Sequence, residues 1–155
     1  MTVEIERKFL TVSDAWRHDV VQRLHIVDGL LMDAEGRKLR VRLCNGQTTL
    51  TFKGRRTGLQ REEVELPLDL AQAHELLDHH CEGRILSKTR HLVPDGGLIW
   101  EVDEYDAPLA GVVLAEIELP EADHPVRLPD WIGAEVSGDP RWRKLNMLRA
   151  KQQAS

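Results

Sequence analysis

Only two cysteines occur in the 155 residues, Cys44 and Cys81, and neither sits in a CxxC or CxxxH spacing. This argues against a disulfide framework and the usual zinc ribbons, and it fits a reduced, cytoplasmic setting. No apolar run approaches the roughly 20 residues of a membrane helix. The N-terminus also lacks a basic segment followed by an apolar stretch, so neither a span nor a signal peptide is expected. Positive charge is not in surplus: the formal net charge is −5, which weighs against a general nucleic-acid binder. No repeat, low-complexity block or Pro/Gly/Ser linker divides the chain, so residues 1–155 read as a single domain.

What is abundant is alternation of period two, the mark of strands. Strands are expected near 2–10, 25–33, 37–44, 48–54, 61–67, 84–93, 97–106 and 112–119. Ala34-Glu35-Gly36, Asn45-Gly46, Thr57-Gly58 and Pro94-Asp95-Gly96-Gly97 supply turn chemistry between them. About three helices fit the remainder. One covers 13–24, with Trp16, Val20 and Leu24 on one face. A second covers 69–81, capped by Asp69, and a third starts at Asp139-Pro140.

Charge follows the same parity. Glu4, Glu6 and Lys8 share one face of the first strand. Arg40 and Arg42 share a face with Lys38, opposite Leu39, Val41 and Leu43. Lys53 stands opposite Phe52, and Arg61, Glu63 and Glu65 stand opposite Val64 and Leu66. Lys88 pairs with Arg90, Glu101 with Asp103, and Glu116 with Glu118. On a single strand such a face is ordinarily just solvated. Repetition over seven strands, with like charges two residues apart, gains nothing for a purely structural sheet. The economical arrangement is an α+β, mainly β fold: an eight-stranded antiparallel closed barrel with a charged interior, helices flanking its apolar exterior. Outward apolar alternation also suits an outer-membrane barrel, but the helices and the 5% aromatic content argue against one.

Desolvated charges need partners. The basic residues suit a small polyanion, and the carboxylates suit a hard divalent cation with oxygen ligands. Both together describe a metal–polyphosphate complex. A glycosidase using paired carboxylates would have no need of the basic residues on the same faces.

These residues carry a family resemblance over nearly the whole chain. Glu4-x-Glu6-x-Lys8 resembles the ExExK signature of the CYTH superfamily, the triphosphate tunnel metalloenzymes. Arg40-Val41-Arg42 is similar to its RxR, followed by Lys53, and 61–65 to its RxExE. Lys88-Thr89-Arg90, Glu101-Val102-Asp103 and Glu116-Ile117-Glu118 resemble KxR, ExD and ExE, and 131–136 resembles WxGxEV. The resemblance implies an eight-stranded tunnel and Mg²⁺- or Mn²⁺-dependent hydrolysis of tripolyphosphate, with nucleoside and thiamine triphosphates as other candidate substrates. It implies substrate contacts from Lys8, Arg40, Arg42, Lys53, Arg61, Lys88 and Arg90. It implies metal ligation by Glu4, Glu6, Glu116 and Glu118, with Glu63, Glu65, Glu101 and Asp103 in support, and a role for Lys88 in proton transfer. The alternatives are a class IV-type adenylyl cyclase, a thiamine triphosphatase, or a non-catalytic polyphosphate- or nucleotide-binding module. The expected assembly is a monomer or homodimer.

Related short bacterial enzymes often carry Gln-Gly-Tyr-Leu on the second strand, where Asp28-Gly29-Leu30-Leu31 stands here. Lys8 therefore lacks the tyrosine partner that the resemblance implies. His79-His80-Cys81 is too tightly spaced for a usual zinc site. The GRRTG at 54–58 lacks the Lys-Ser/Thr of a Walker loop and reads as a basic hairpin at the tunnel mouth.

Overall fold

The computed structural model describes residues 2–154; Met1 and Ser155, at the ends of the expected 1–155 domain, lie outside them. Among the described residues nine strands form: β1 (Thr2–Thr11), β2 (Gln22–Ala34), β3 (Arg37–Cys44), β4 (Gln47–Lys53), β5 (Gln60–Pro67), β6 (Ile85–Asp95), β7 (Leu98–Tyr105), β8 (Val113–Glu118) and β9 (Ile132–Glu135). Two α-helices accompany them, α1 (Leu70–His79) and α2 (Lys144–Ala154).

The sheet runs β5-β4-β3-β2-β6-β7-β8-β1, and β1 pairs back onto β5. β1 achieves this closure by serving two neighbours in turn. Thr2–Ile5 pair with β5 in the register Glu4↔Arg61. Residues from Glu6 to Leu10 pair with β8 in the register Glu6↔Glu118 and Lys8↔Glu116. The result is the expected eight-stranded antiparallel barrel, with β9 added beside the end of β1. β9 is the WxGxEV stretch, too short and glycine-interrupted to announce itself as a strand.

Apolar packing lies mostly on the outside of this wall. Phe9, Trp100, Val102, Ala115 and Ile117 bury against Trp16 and Trp131. α1 covers Val41 with Ala73 and Leu77. Its start is fixed by a capping box: the Asp69 carboxylate accepts from Gln72 N at 2.8 Å, and the Gln72 side chain accepts from Asp69 N. Gly29 lets α1 approach, because a Cβ there would lie 2.7 Å from Leu77 Cδ2 and 2.5 Å from Cys81 Sγ just past the helix.

One apolar cluster behaves differently. Leu86, Tyr105 and Leu114 have the parity of Lys88, Asp103 and Glu116, so they stand at one end of the interior rather than outside it. Met147 and Leu148 of α2 pack onto them, so the helix docks against that end of the barrel.

Two helical expectations change. Residues 13–24 do not form an α-helix; only Ala15–Asp19 make a 3₁₀ turn. Trp16 is fully buried against His91, and Val21 N donates to Leu92 O, so the chain joins the β2–β6 ladder instead. Tertiary pairing wins there over a modest helical pattern, aided by β-branched Val20 and Val21. Asp139-Pro140 does begin a helical turn, with Asp139 capping Arg141 N, but it is a 3₁₀ turn over Pro140–Trp142. Arg143 is extended, and α2 starts only at Lys144.

Candidate active site

The inward faces enclose a cavity of about 740 Å³, sized for one small ligand. Every candidate named from the sequence lines it except Lys88 and Asp103.

The basic wall is built on β3 and β6. Arg42 grips Asp28 through both nitrogens of its fork, Nε to Oδ1 at 2.7 Å and Nη2 to Oδ2 at 2.9 Å. Arg40 Nε stands 3.8 Å from the same carboxylate. Burial alone would push the Asp28 carboxyl up, but the Arg42 hydrogen bonds and the two guanidinium charges hold it well below the usual carboxylate range. On β6, Arg90 donates to Glu101 at 2.8 Å and to both oxygens of Asp103 at 2.8 and 2.9 Å.

Asp103 also accepts from Lys88 Nζ at 2.7 Å. Lys88 is 1% exposed and Asp103 0%. Lys88 further faces the ring of Tyr105, the chain's single tyrosine, at 5.5 Å. These two residues have inward parity but lie buried beneath the cavity wall. Asp103 has its oxygens taken by two cations, which fits it to hold Arg90 and Lys88 in place rather than to ligate a metal.

The acidic wall comes from β1, β5 and β8. Burial, then Glu116 and Glu4, push the Glu6 carboxyl up to about 8. Glu4 is also raised, by burial and by a hydrogen bond shared with Glu63. Burial would raise Glu63 too, but the Glu4 hydrogen bond and Lys53 outweigh it and leave it lowered. Lys53 Nζ sits between them, 3.6 Å from Glu4 and 3.3 Å from Glu63. Glu116 is buried, yet Lys8, Lys144 and Arg90 hold it well below its ordinary value. Lys8 Nζ lies 3.7 Å from Glu116 Oε1, its register partner across β1 and β8. Leu30 lines the cavity and pairs with Arg40 in the β2–β3 register. Glu65 and Glu118 stand on the cavity wall with exposed side chains.

The donor set fits a hard divalent cation in a particular way. All the candidate ligands are carboxylate oxygens, and Lys53 Nζ, 3.3 Å from Glu63 Oε2, already supplies a cation at one of them. Among the described residues, however, no three such groups converge into a ready cage. The carboxylates approach in pairs, Glu4 with Glu63 and Glu6 with Glu116. Such pairs suit an ion that keeps waters and takes its other ligands from phosphate, as Mg²⁺ does.

Several cavity residues were not singled out from the sequence: Asp28, Lys38, Arg56, Arg143 and Lys144. Asp28 had a local signal, a charge at inward parity in the otherwise apolar Ile26-Val27-Asp28-Gly29-Leu30. Lys38 shares the face of Arg40 and Arg42. Arg56 reaches back from the basic hairpin to Glu6 at 3.6 Å, and Arg143 and Lys144 arrive only through the docking of α2. No helix among the described residues is long and apolar enough to cross a membrane.

Comparison with known proteins gives concordant matches. The CYTH domain matches residues 2–145. An inorganic triphosphatase of Acetivibrio thermocellus is 37% identical over 149 residues, covering 96% of this chain and 95% of the relative. An inorganic triphosphatase of Nitrosomonas europaea is 35% identical over 146 residues, covering 90% and 93%. The crystal structure of an inorganic triphosphatase superposes with a TM-score of 0.65 at 28% identity, covering 95% of each chain.

Proposed function

The chain belongs to the CYTH domain family, and from that premise we propose that it is a divalent-metal-dependent triphosphatase that cleaves the terminal phosphoanhydride of inorganic tripolyphosphate. One observation carries this reading above the others: a closed barrel brings guanidinium forks and paired carboxylates to opposite walls of one cavity.

Arg40, Arg42, Arg90, Lys53 and Lys8 face the phosphate oxygens. The arginines present planar donor forks and the lysines compact charges. Asp28 fixes Arg42, while Glu101 and Asp103 fix Arg90, so these donors are aimed before substrate arrives. Lys88 acts through the same buried Asp103. Arg61 lines the cavity opposite Glu4 in the β1–β5 register. Glu4, Glu6, Glu116 and Glu118 are the residues to hold Mg²⁺ or Mn²⁺, with Glu63, Glu65 and Glu101 close by. A bound divalent cation supplies neutralisation of phosphate charge and lowers the pKa of water.

In the reaction one water oxygen attacks the terminal phosphorus in line. The bond from that phosphorus to the bridging oxygen breaks, and its electron pair stays on the departing pyrophosphate. One orthophosphate and one pyrophosphate form per water consumed, with the water's protons passing to products and solvent. The chain's contribution is position and fixed charge, the main sources of rate in phosphoryl transfer. A panel of tripolyphosphate, ATP and thiamine triphosphate tests the assignment. Orthophosphate and pyrophosphate in equal amounts from tripolyphosphate are expected. Cyclic AMP from ATP, or binding without turnover, overturns it.

Glu6 adds a pH signature. Without metal its folded pKa of about 8 exceeds its ordinary 4.5, so the folded state binds more protons between those values. Its contribution to stability is therefore full below about 4.5 and is lost as pH rises towards about 8. A cation requires ionised carboxylates, so it must displace that proton. Added Mg²⁺ should raise the thermal midpoint more at about pH 8 than at about pH 6. An equal or larger rise at the lower pH contradicts this.

A further inference from the structure

Among the described residues, five cations on the cavity wall have no carboxylate within 4.0 Å: Lys38, Arg61, Arg143, Lys144 and Arg149. The arginines of the phosphate clamp differ, because Arg40, Arg42 and Arg90 each lie within that distance of an acid. Three of the five, Lys38, Arg61 and Arg143, feel one another's charge.

The cluster is electrostatically incomplete in four separate ways. Lys38 stands directly opposite Lys53 in the β3–β4 register, a repulsive cross-strand pair. Arg61 Nε is buried without a hydrogen-bond partner. Burial, then the Arg61 charge, push the Lys38 ammonium down to about 8, and the opposing charge of Asp33 does not restore it. Finally, Arg143 and Lys144 sit at the start of α2, whose first turn contains no acidic residue. The positive end of a helix favours an anion there and disfavours cations. A single tetrahedral oxyanion, rich in acceptor oxygens, relieves all four.

We propose that Lys38, Arg61 and Arg143, with the first turn of α2, form an orthophosphate subsite at the mouth of the cavity, separate from the Arg40–Arg42–Arg90 clamp. If the triphosphatase reading holds, this subsite receives the orthophosphate as it leaves and makes that product an inhibitor. The subsite itself rests on the geometry of the cluster; only its part in turnover rests on that reading.

Inorganic phosphate titrated into the metal-free protein by calorimetry tests it. One saturable site is expected, weakened about tenfold, or about 1.4 kcal/mol, in Lys38→Gln and likewise in Arg143→Gln. Arg127→Gln, at a 76%-exposed residue paired with Asp95 away from the cavity, should bind phosphate as the parent does. Arg143 is itself exposed, so its variant keeps the test open should Lys38→Gln fold poorly. Absence of saturable binding overturns the proposal, as does unchanged affinity in both cavity variants. Phosphate binding that depends on Lys38 in a protein that leaves tripolyphosphate intact keeps the subsite and removes the triphosphatase reading. Turnover of tripolyphosphate with phosphate binding indifferent to Lys38 and Arg143 does the reverse.

Discussion

Replacing Asp103 by alanine should destabilise the fold by about 3–5 kcal/mol, the cost of breaking a buried ion pair from one side. Asp103 is 0% exposed and receives three hydrogen bonds, one from Lys88 and two from Arg90. Without it, Lys88, 1% exposed, keeps a charge inside the wall with no carboxylate at hydrogen-bond distance. Burial would raise the Asp103 carboxyl, but the Lys88 and Arg90 charges outweigh it and leave it below its ordinary value. Asp103→Asn preserves the shape and removes the charge, so it should also be costly. Urea denaturation reads both variants. A loss below about 1 kcal/mol, the worth of an exposed pair, would mean that the network is solvated and not structural.

The second large effect is catalytic. Arg40→Ala should lower kcat for tripolyphosphate by about 10²- to 10³-fold, the usual loss when one pre-aimed donor to developing charge is removed. Its fold cost should be small, because Arg40 Nε has no hydrogen-bond partner and Asp28 keeps its fork from Arg42. Burial, against the opposing charge of Asp28, lowers the Arg40 guanidinium below its ordinary value, so this cation is held at some expense to stability. Arg40→Lys keeps a charge without the fork and should recover part of the activity. Activity within a factor of about three of the parent would place Arg40 outside the reaction.

The barrel was legible because its evidence is local. Strand parity places Glu4, Glu6, Arg40, Arg42, Arg90, Glu116 and Glu118 on inward faces with no knowledge of the partners. What escaped depended on distant contacts. The segment 13–24 reads as a helix until the Val21 N to Leu92 O bond draws it into the sheet. Lys88 and Asp103 have the same parity as their cavity neighbours, but burial depends on how the interior fills around them. Tyr105, Leu86 and Leu114 show that one end of the interior is apolar. Arg143 and Lys144 come to the site only through α2, whose docking position no periodicity encodes. Lys38 was in plain view on the face of Arg40 and Arg42, and its significance appears only once its lack of a carboxylate partner is known.

These observations converge on a cavity that is organised by its own ion pairs and completed by a cation and a phosphate chain. Phosphate release from tripolyphosphate, followed with and without a divalent cation, tests that most directly. The protein should produce orthophosphate and pyrophosphate in equal amounts with Mg²⁺ or Mn²⁺, and none above background in a chelator. Undiminished hydrolysis in the chelator, or no hydrolysis with either metal, contradicts the account.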